Sequence, residues 1–354
     1  MMTEKVYNLG IVGYGGMGRY HAHYILKDHR QVKVYGVYDI NPNRNKIGME
    51  DGYKSYDSMD NLLNDKLINI VLIATPNDVH KEIAIKAIAA GKHVVCEKPV
   101  TIKSEELIEI LDAVKNTDQV FMVHQNRRWD KDFLTIKNIY DNRKIGEVFH
   151  VESRVHGANG IPGDWRHLKE KGGGMLLDWG VHLLDQLLFM VNSNITSVYA
   201  DLSYILGNEV DDGFQTIIAF ENGVRALIEV GTTNFINLPR WYAKGTEGTA
   251  VVENWSNNGK IVIQNKDIVA TAPKPIKAGQ GFTKTMASPS EEATTTISLP
   301  EPIQLDELFY DNLVSVIENR KKPIVKNEEV LRVLKLMEII FESAKKNEII
   351  KVSL

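Results

Sequence analysis

Asp178 and His182 stand four residues apart in the run Gly172-Gly173-Gly174-Met175-Leu176-Leu177-Asp178-Trp179-Gly180-Val181-His182-Leu183-Leu184-Asp185. A helix expected over 174–191 would carry both on one face. Histidine titrates nearest neutral pH and can take a proton from a hydroxyl. A neighbouring carboxylate can orient the imidazole and favour its charged form. Taken alone, such a pair is as well explained by two satisfied polar groups on an amphipathic helix. A second candidate is Lys98, held between Glu97 and Pro99 after the apolar run His93-Val94-Val95-Cys96. Pro99 restricts Lys98 to extended conformations and admits a cis bond. A lysine so held can donate to a substrate oxygen and stabilise alkoxide charge. A plain Lys98–Glu97 pair is the alternative.

A third group concerns phosphate. Gly13-Tyr14-Gly15-Gly16-Met17-Gly18 follows an apolar run and opens a helix, which fits G-x-G-x-x-G at Gly13, Gly15 and Gly18. Gly13 suits the tight turn, Gly15 lets backbone approach a pyrophosphate, and Gly18 permits close helix–strand packing. The free N–H groups at the helix start, through Gly16 and Met17, favour negative charge. Asp39 ends the second apolar run, where its carboxylate would accept from the adenosine ribose hydroxyls and repel a 2′-phosphate. NAD is therefore expected over NADP. Arg44 is expected to be solvated on the following helix. The competing explanation is a glycine turn with no ligand.

These residues need elements to position them. The first 125 residues alternate strand and helix: strands at 6–12, 32–38, 70–74, 93–96 and 120–123, and helices at 17–28, 78–90 and 104–116, the last with Ser104 as N-cap. Such alternation makes right-handed βαβ units and a parallel sheet. Ligands of such sheets bind at the carboxyl ends of strands, so Thr75-Pro76-Asn77 and Glu97-Lys98-Pro99 should both face the cofactor. Beyond Asn126 the pattern becomes α+β. Helices are expected at 133–140 and 174–191, and short strands meet at Glu221-Asn222-Gly223 and Asn257-Asn258-Gly259, which are hairpin signals for an antiparallel sheet. The stretch 266–303 has no clear period and is expected to be a long loop or flap. Two helices, 305–319 and 328–345, close the chain.

Composition narrows the class. Lysine and arginine number 42 against 46 acidic residues, a net charge of −4. That argues against gripping nucleic acid or an anionic membrane. No apolar stretch reaches the length of a membrane span. The single cysteine, Cys96, excludes an internal disulfide and a multi-cysteine metal site, and a buried inert thiol is expected. No histidine spacing suggests a metal. A cytoplasmic protein is expected.

The chain resembles the glucose–fructose oxidoreductase / inositol dehydrogenase / MocA family over nearly its whole length. The resemblance rests on the glycine loop, Ala74-Thr75-Pro76-Asn77, Glu97-Lys98-Pro99, Gln125-Asn126-Arg127-Arg128-Trp129, Asp164-Trp165-Arg166, the Gly172 to Asp185 run and the helix at 329–344. It implies a Rossmann NAD-binding domain over 1–125 and an α+β domain over 126–354, whose open-faced antiparallel sheet commonly makes subunit contacts. A homo-oligomer, dimer or tetramer, is the implied assembly, and the last helices are candidates to pack back on the first domain. Lys98 and His182 fall on the catalytic lysine and histidine, with Asp178 the acid beside them. Thr75, Asn77, His80 and Glu97 are implied cofactor contacts. Asn126, Trp165 and Arg166 are implied beside sugar and nicotinamide, with Arg127 next to them, either on substrate phosphate or in a salt-bridged pair with its neighbours. The long N-terminal extension of periplasmic members is absent. The implied reaction moves a hydride between NAD and a secondary hydroxyl of a cyclic polyol, sugar or glycoside, C3 of a glucoside being one candidate position. The alternatives are an NAD-dependent glycosidase using transient C3 oxidation, and a non-catalytic dinucleotide sensor.

Overall fold

The computed structural model describes residues 5–266, 274–286, 289 and 291–354. Its first sheet is built from β1 (Tyr7–Val12), β2 (Val32–Tyr38), β3 (Lys54–Ser55), β4 (Ile70–Ile73), β5 (His93–Cys96) and β6 (Phe121–Val123). The order is β3-β2-β1-β4-β5-β6 and every pairing is parallel. All four residues of β4 are buried, as a strand covered on both faces requires. The crossovers carry α1 (Gly16–Tyr20), α2 (Pro42–Glu50), α3 (Met59–Asn64), α4 (His80–Ala89) and α5 (Ser104–Val114). This is the expected Rossmann arrangement, and it puts the glycine loop, Thr75 and Lys98 at the carboxyl ends of β1, β4 and β5.

Local details differ from expectation. The helix after the glycine loop keeps α form only to Tyr20 and continues as a π turn over His21–Ile25. Ser104 is not the cap of α5: Lys103 holds that position. Ser104 instead gives its N–H and hydroxyl to Glu338, at 2.7 and 2.8 Å. A distant carboxylate has outcompeted the local cap.

The second sheet follows α6 (Lys131–Asp141). It comprises β7 (Val148–His156), then after α7 (Val181–Met190) β8 (Ile195–Ser203), β9 (Gly213–Phe220), β10 (Arg225–Gly231), β11 (Trp241–Gly245), β12 (Gly248–Val252) and β13 (Gly259–Gln264). A separate hairpin, β14 (Ile276–Ala278) with β15 (Gly281–Thr283), precedes β16 (Thr294–Ile297). The chain ends through α8 (Phe309–Ile317), α9 (Asn327–Lys346) and β17 (Ile350–Lys351). Nine strands run in the order β16-β13-β12-β11-β7-β10-β9-β8-β17. They are antiparallel as expected except for β7 against β10, which is parallel because the chain leaves β7 through the α7 crossover and returns at β8 in the same direction, and β10, two antiparallel turns later, again runs that way. The Asn222-Gly223 turn joins β9 to β10, and Gly223 takes φ +91° there. One face packs on α6, α7 and α9, while Tyr199 and Ile217 stand exposed on the other.

The stretch 266–303 is not one long loop. Thr294-Thr295-Thr296-Ile297 forms β16, which adds to β13 as an edge strand; residues 267–273, 287, 288 and 290 of that stretch lie outside the described residues. The last helix begins where expected, but α8 starts only at Phe309.

Candidate active site between the two sheets

The glycine loop is shaped by close approach. A Cβ on Gly13 would lie 2.7 Å from the Ala74 backbone, and one on Gly18 would lie 2.2 Å from the Gly13 carbonyl oxygen. A Cβ on Gly16 would meet nothing, and one on Gly15 only the flexible end of Arg44. No side chain caps α1, so its first N–H groups are left for phosphate oxygens. Asp39 is buried and already accepts from the Tyr14 N–H (2.9 Å) and the Asn41 N–H (2.8 Å). Arg44 is not merely solvated: its guanidinium donates to Asp39 at 3.3 Å. Around the cleft, Thr75 Oγ1, both amide atoms of Gln125 and His182 Nδ1 are buried without a hydrogen-bond partner among the described residues. Buried polar groups of this kind ask for a ligand, and with the uncapped glycine loop they fit a bound dinucleotide.

Two implied cofactor contacts are consumed by the protein. His80 is fully buried, with Nε2 at 2.9 Å from the Thr75 carbonyl and Nδ1 at 3.1 Å from that of Pro99. It ties the two cofactor-side loops together and exposes no polar atom to a ligand. Burial holds its pKa below the ordinary histidine value. Glu97 is likewise buried: Oε1 accepts from His21 Nε2 and His124 Nδ1, both at 2.8 Å, and Oε2 accepts from the Lys98 N–H at 3.2 Å. Burial works to raise its pKa, but the two histidines outweigh it and keep the carboxylate ionised. Tyr310 donates to the far nitrogen of His21 at 2.8 Å. His21, Glu97 and His124 form the one cluster with metal-ligand spacing among the described residues; both rings approach a single Glu97 oxygen at 2.8 Å, so as it stands the group is a hydrogen-bond network. Nothing in the local sequence around His21, His124 or Tyr310 announces this network. Cys96 is fully buried, and burial raises its thiol well above the ordinary range.

Asn77 crosses to the second domain, its amide donating to the Gly172 carbonyl at 2.9 Å, and Lys171 reaches Asp78 at 2.8 Å. Gly172 and Gly174, at φ +73° and +103°, allow that loop to fold against the first domain. The chain then winds into a π turn, Leu176–Gly180, that runs directly into α7. Here Lys98, after a cis bond to Pro99 on its far side, meets Asp178. Lys98 Nζ lies 3.1 Å from the Asp178 carboxylate and 2.9 Å from its carbonyl. Arg166 Nε lies 3.3 Å from the other carboxylate oxygen, and its ring-facing side covers Trp165. Burial opposes ionisation of Asp178, but Lys98 and then Arg166 hold its pKa below the ordinary value.

The expected Asp178–His182 contact does not form. Asp178 lies in the π turn and His182 in α7, and charged donors from other elements have captured the carboxylate. His182 is buried, and its pKa lies well below the ordinary value, first through burial and then through the charges of Lys98 and Arg127. Its imidazole is neutral at pH 7, not favoured in its charged form. A neutral imidazole beside an ammonium can accept a proton whose oxygen that ammonium stabilises.

Side chains beyond the expected set hold α7 in place. Asp185 makes a bidentate pair with buried Arg128 (2.8 and 2.7 Å), and Arg128 also donates to Glu329 at 2.6 Å. Gln186, one turn from His182, donates to the Arg127 carbonyl at 2.6 Å. Arg127 itself pairs with Asp130, and Asn126 opens the same 3-10 turn.

Comparison with known proteins agrees with this architecture. The family described as "Oxidoreductase family, NAD-binding Rossmann fold" matches residues 7–125, and the GFO/IDH/MocA C-terminal domain matches residues 133–251. The chain belongs to the Gfo/Idh/MocA oxidoreductase family. It binds NAD through a Rossmann domain, as that family does. An NAD-binding protein from Listeria innocua, solved by crystallography, is 59% identical with a TM-score of 0.97, covering 99% of this chain and 100% of that one. An uncharacterized oxidoreductase of Schizosaccharomyces pombe is 35% identical over 204 residues, 55% of either chain, so the match spans about half its length. The 2,7-anhydro-N-acetylneuraminate hydratase of Escherichia coli is 30% identical over 72% of this chain and 70% of its own. Myo-inositol 2-dehydrogenase of Thermotoga maritima is 26% identical over 62% and 67%.

Proposed function

We propose that this family member is an NAD-dependent dehydrogenase for a secondary hydroxyl of a cyclic polyol, sugar or glycoside. The observation that carries the reading is the Lys98–Asp178 ion pair, 3.1 Å, at the carboxyl end of β5, with buried His182 four residues beyond Asp178 and its Nδ1 without a partner among the described residues. The relative named an inositol dehydrogenase supports a polyol or sugar substrate. NAD, when bound, supplies the hydride acceptor. His182 accepts the hydroxyl proton, and the Lys98 ammonium donates to the oxygen as its negative charge grows. Asp178 and Arg166 fix where that ammonium points. Gly13, Gly15, Gly16, Met17, Gly18, Asp39, Thr75, Pro76 and Asn77 cradle the dinucleotide, while Asn126, Arg127 and Trp165 border the substrate.

The division into 1–125 and 126–354 serves this chemistry, since each part brings half of it. We assign the exposed sheet face around Tyr199 and Ile217 to contact with further copies of the chain, and the lone buried thiol suits a reducing cytoplasm. The test is NADH formation from a panel of inositols, monosaccharides and glycosides. A His182→Ala protein with near wild-type turnover would sink the assignment. The relative named a hydratase favours a second reading, in which C3 is oxidised with hydride passing to NAD, the C2 proton and the C1 aglycone are eliminated, water adds across the resulting C1–C2 double bond, and the hydride returns to C3. Aglycone release without NADH accumulation would decide for it.

A further inference from the structure

Aromatic surface continues outward from His182. Trp179 lies across its ring at 6.0 Å between centroids and 65° between planes. Trp255, on the turn between β12 and β13, follows at 6.1 Å and 48° from Trp179. Trp255 takes no part in the hydrophobic core and leaves 47% of its surface exposed. What fixes it is charge. The Arg127 guanidinium sits 4.4 Å from the Trp179 ring and 5.1 Å from that of Trp255, and Arg240 sits 4.9 Å from Trp255. Both arginines are themselves pinned, Arg127 by Asp130 at 2.9 Å and Arg240 by Asp132 at 3.1 Å and Gln186 at 2.8 Å. A large indole held rigid at the surface by two guanidinium groups forgoes burial that a core tryptophan would gain. Such a preorganised flat face is what a ligand ring can stack on.

We propose that Trp179 and Trp255 form a second subsite, one ring removed from the reacting centre, and that the preferred substrate is a two-ring glycoside. The distal ring is a sugar or an aryl aglycone with a flat apolar face. This inference rests on the carbohydrate reading above. It predicts that a free polyol or monosaccharide fills only the inner half of the site. Arg127 contacts both indoles from one side, so it also links the outer ring to the inner one, where its charge acts on His182.

The test uses one reacting sugar in four forms: free, as its methyl glycoside, as a disaccharide and as a p-nitrophenyl glycoside. NADH formation is measured with wild type, Trp255→Ala and Trp255→Phe. Tryptophan fluorescence is titrated with each form in parallel, which needs no turnover. Wild type should favour the two-ring forms over the methyl glycoside by about tenfold in KM, the size of one good stacking contact. Trp255→Ala should shrink that ratio to under about threefold, and Trp255→Phe should keep most of it. The disaccharide and aryl arms tell which ring is taken. Equal kcat/KM for one-ring and two-ring forms in wild type would overturn the subsite alone. So would a Trp255→Ala protein that keeps the ratio but changes oligomeric state, since Trp255 would then be an interface residue. If no carbohydrate reduces NAD or quenches fluorescence, the carbohydrate reading falls and the subsite falls with it. Quenching by two-ring forms without turnover would keep the subsite and remove only the dehydrogenase.

Discussion

Lys98 Nζ reaches both the carboxylate and the carbonyl of Asp178, at 3.1 and 2.9 Å, so one ammonium joins the end of a Rossmann strand to the helix that carries His182. Asp178 therefore serves Lys98 and not His182. The consequences are measurable.

If Asp178 acts only through Lys98, the two residues form one unit. Asp178→Asn and Lys98→Met should each lower kcat by roughly 10²–10³, the usual cost of losing a preorganised charge. The double variant should be no slower than Lys98→Met alone. Multiplied losses in steady-state NADH assays would show that Asp178 acts independently.

His182 must be unprotonated to accept a proton. Its pKa is depressed, so activity in the oxidative direction should hold through neutral pH and fall only as pH drops well below 6.5. Lys98→Met removes a neighbouring positive charge while burial remains. The midpoint of the acid limb of kcat/KM should then move up toward the ordinary histidine value. A pH–rate profile with unchanged midpoint would contradict the assignment.

Stability should follow the same sign. His21, His80 and His182 all have folded-state pKa values below their unfolded value. Below about pH 6.5 the unfolded chain binds more protons than the folded one, so acid favours unfolding. The ionised Glu97 adds to this, because its depressed pKa also gives stability that is lost as pH falls. Thermal melts should show Tm declining steadily on the acid side of neutrality.

Arg128 is buried and paired on both sides, with Asp185 and Glu329. Asp185→Ala should destabilise the protein by roughly 3–5 kcal/mol, because it strands a buried guanidinium. An apolar double replacement, Arg128→Met with Asp185→Leu, should recover much of that loss in Tm. It should nonetheless depress kcat, since α7 loses its anchor near the substrate.

Asp39 accepts N–H groups and faces Arg44. Asp39→Ala should weaken NAD binding by about tenfold or more, the cost of losing charged hydrogen bonds to ribose. It should also narrow the preference over NADP, because Arg44 is released to meet a phosphate. Titration with both dinucleotides reads the two effects separately.

Much of this was legible in the linear chain. Apolar runs such as Ile70-Val71-Leu72-Ile73 and His93-Val94-Val95-Cys96 allow little but buried parallel strands, and the glycine loop needs only its own neighbours to make a turn. Lys98 was legible because proline and a strand end confine it. The region 51–64 was not: β3 and α3 are short and weakly patterned, and of α2 only a helix carrying Arg44 was expected, because it rests on an Asn41 cap and Pro42 more than on any apolar stripe. β16 was missed because an edge strand of three consecutive threonines and one isoleucine carries almost no hydrophobic signal.

The sequence by itself determined the parallel Rossmann sheet, the mostly antiparallel second sheet and the NAD-binding class, and it singled out Lys98, Asp178 and His182 as candidates, because each reading depends on local backbone freedom and short-range periodicity. Only the tertiary structure decided whom those side chains face. Spacing of four residues would put Asp178 and His182 on one face of a regular helix, but a carboxylate goes to the strongest donors within reach. Lys98 and Arg166 come from segments that no local rule brings near. The same holds for Glu97, whose histidine partners lie 76 and 27 residues away, and for the tryptophans beyond His182. Pairing over such distances is set by which surfaces bury together, a property of the whole chain.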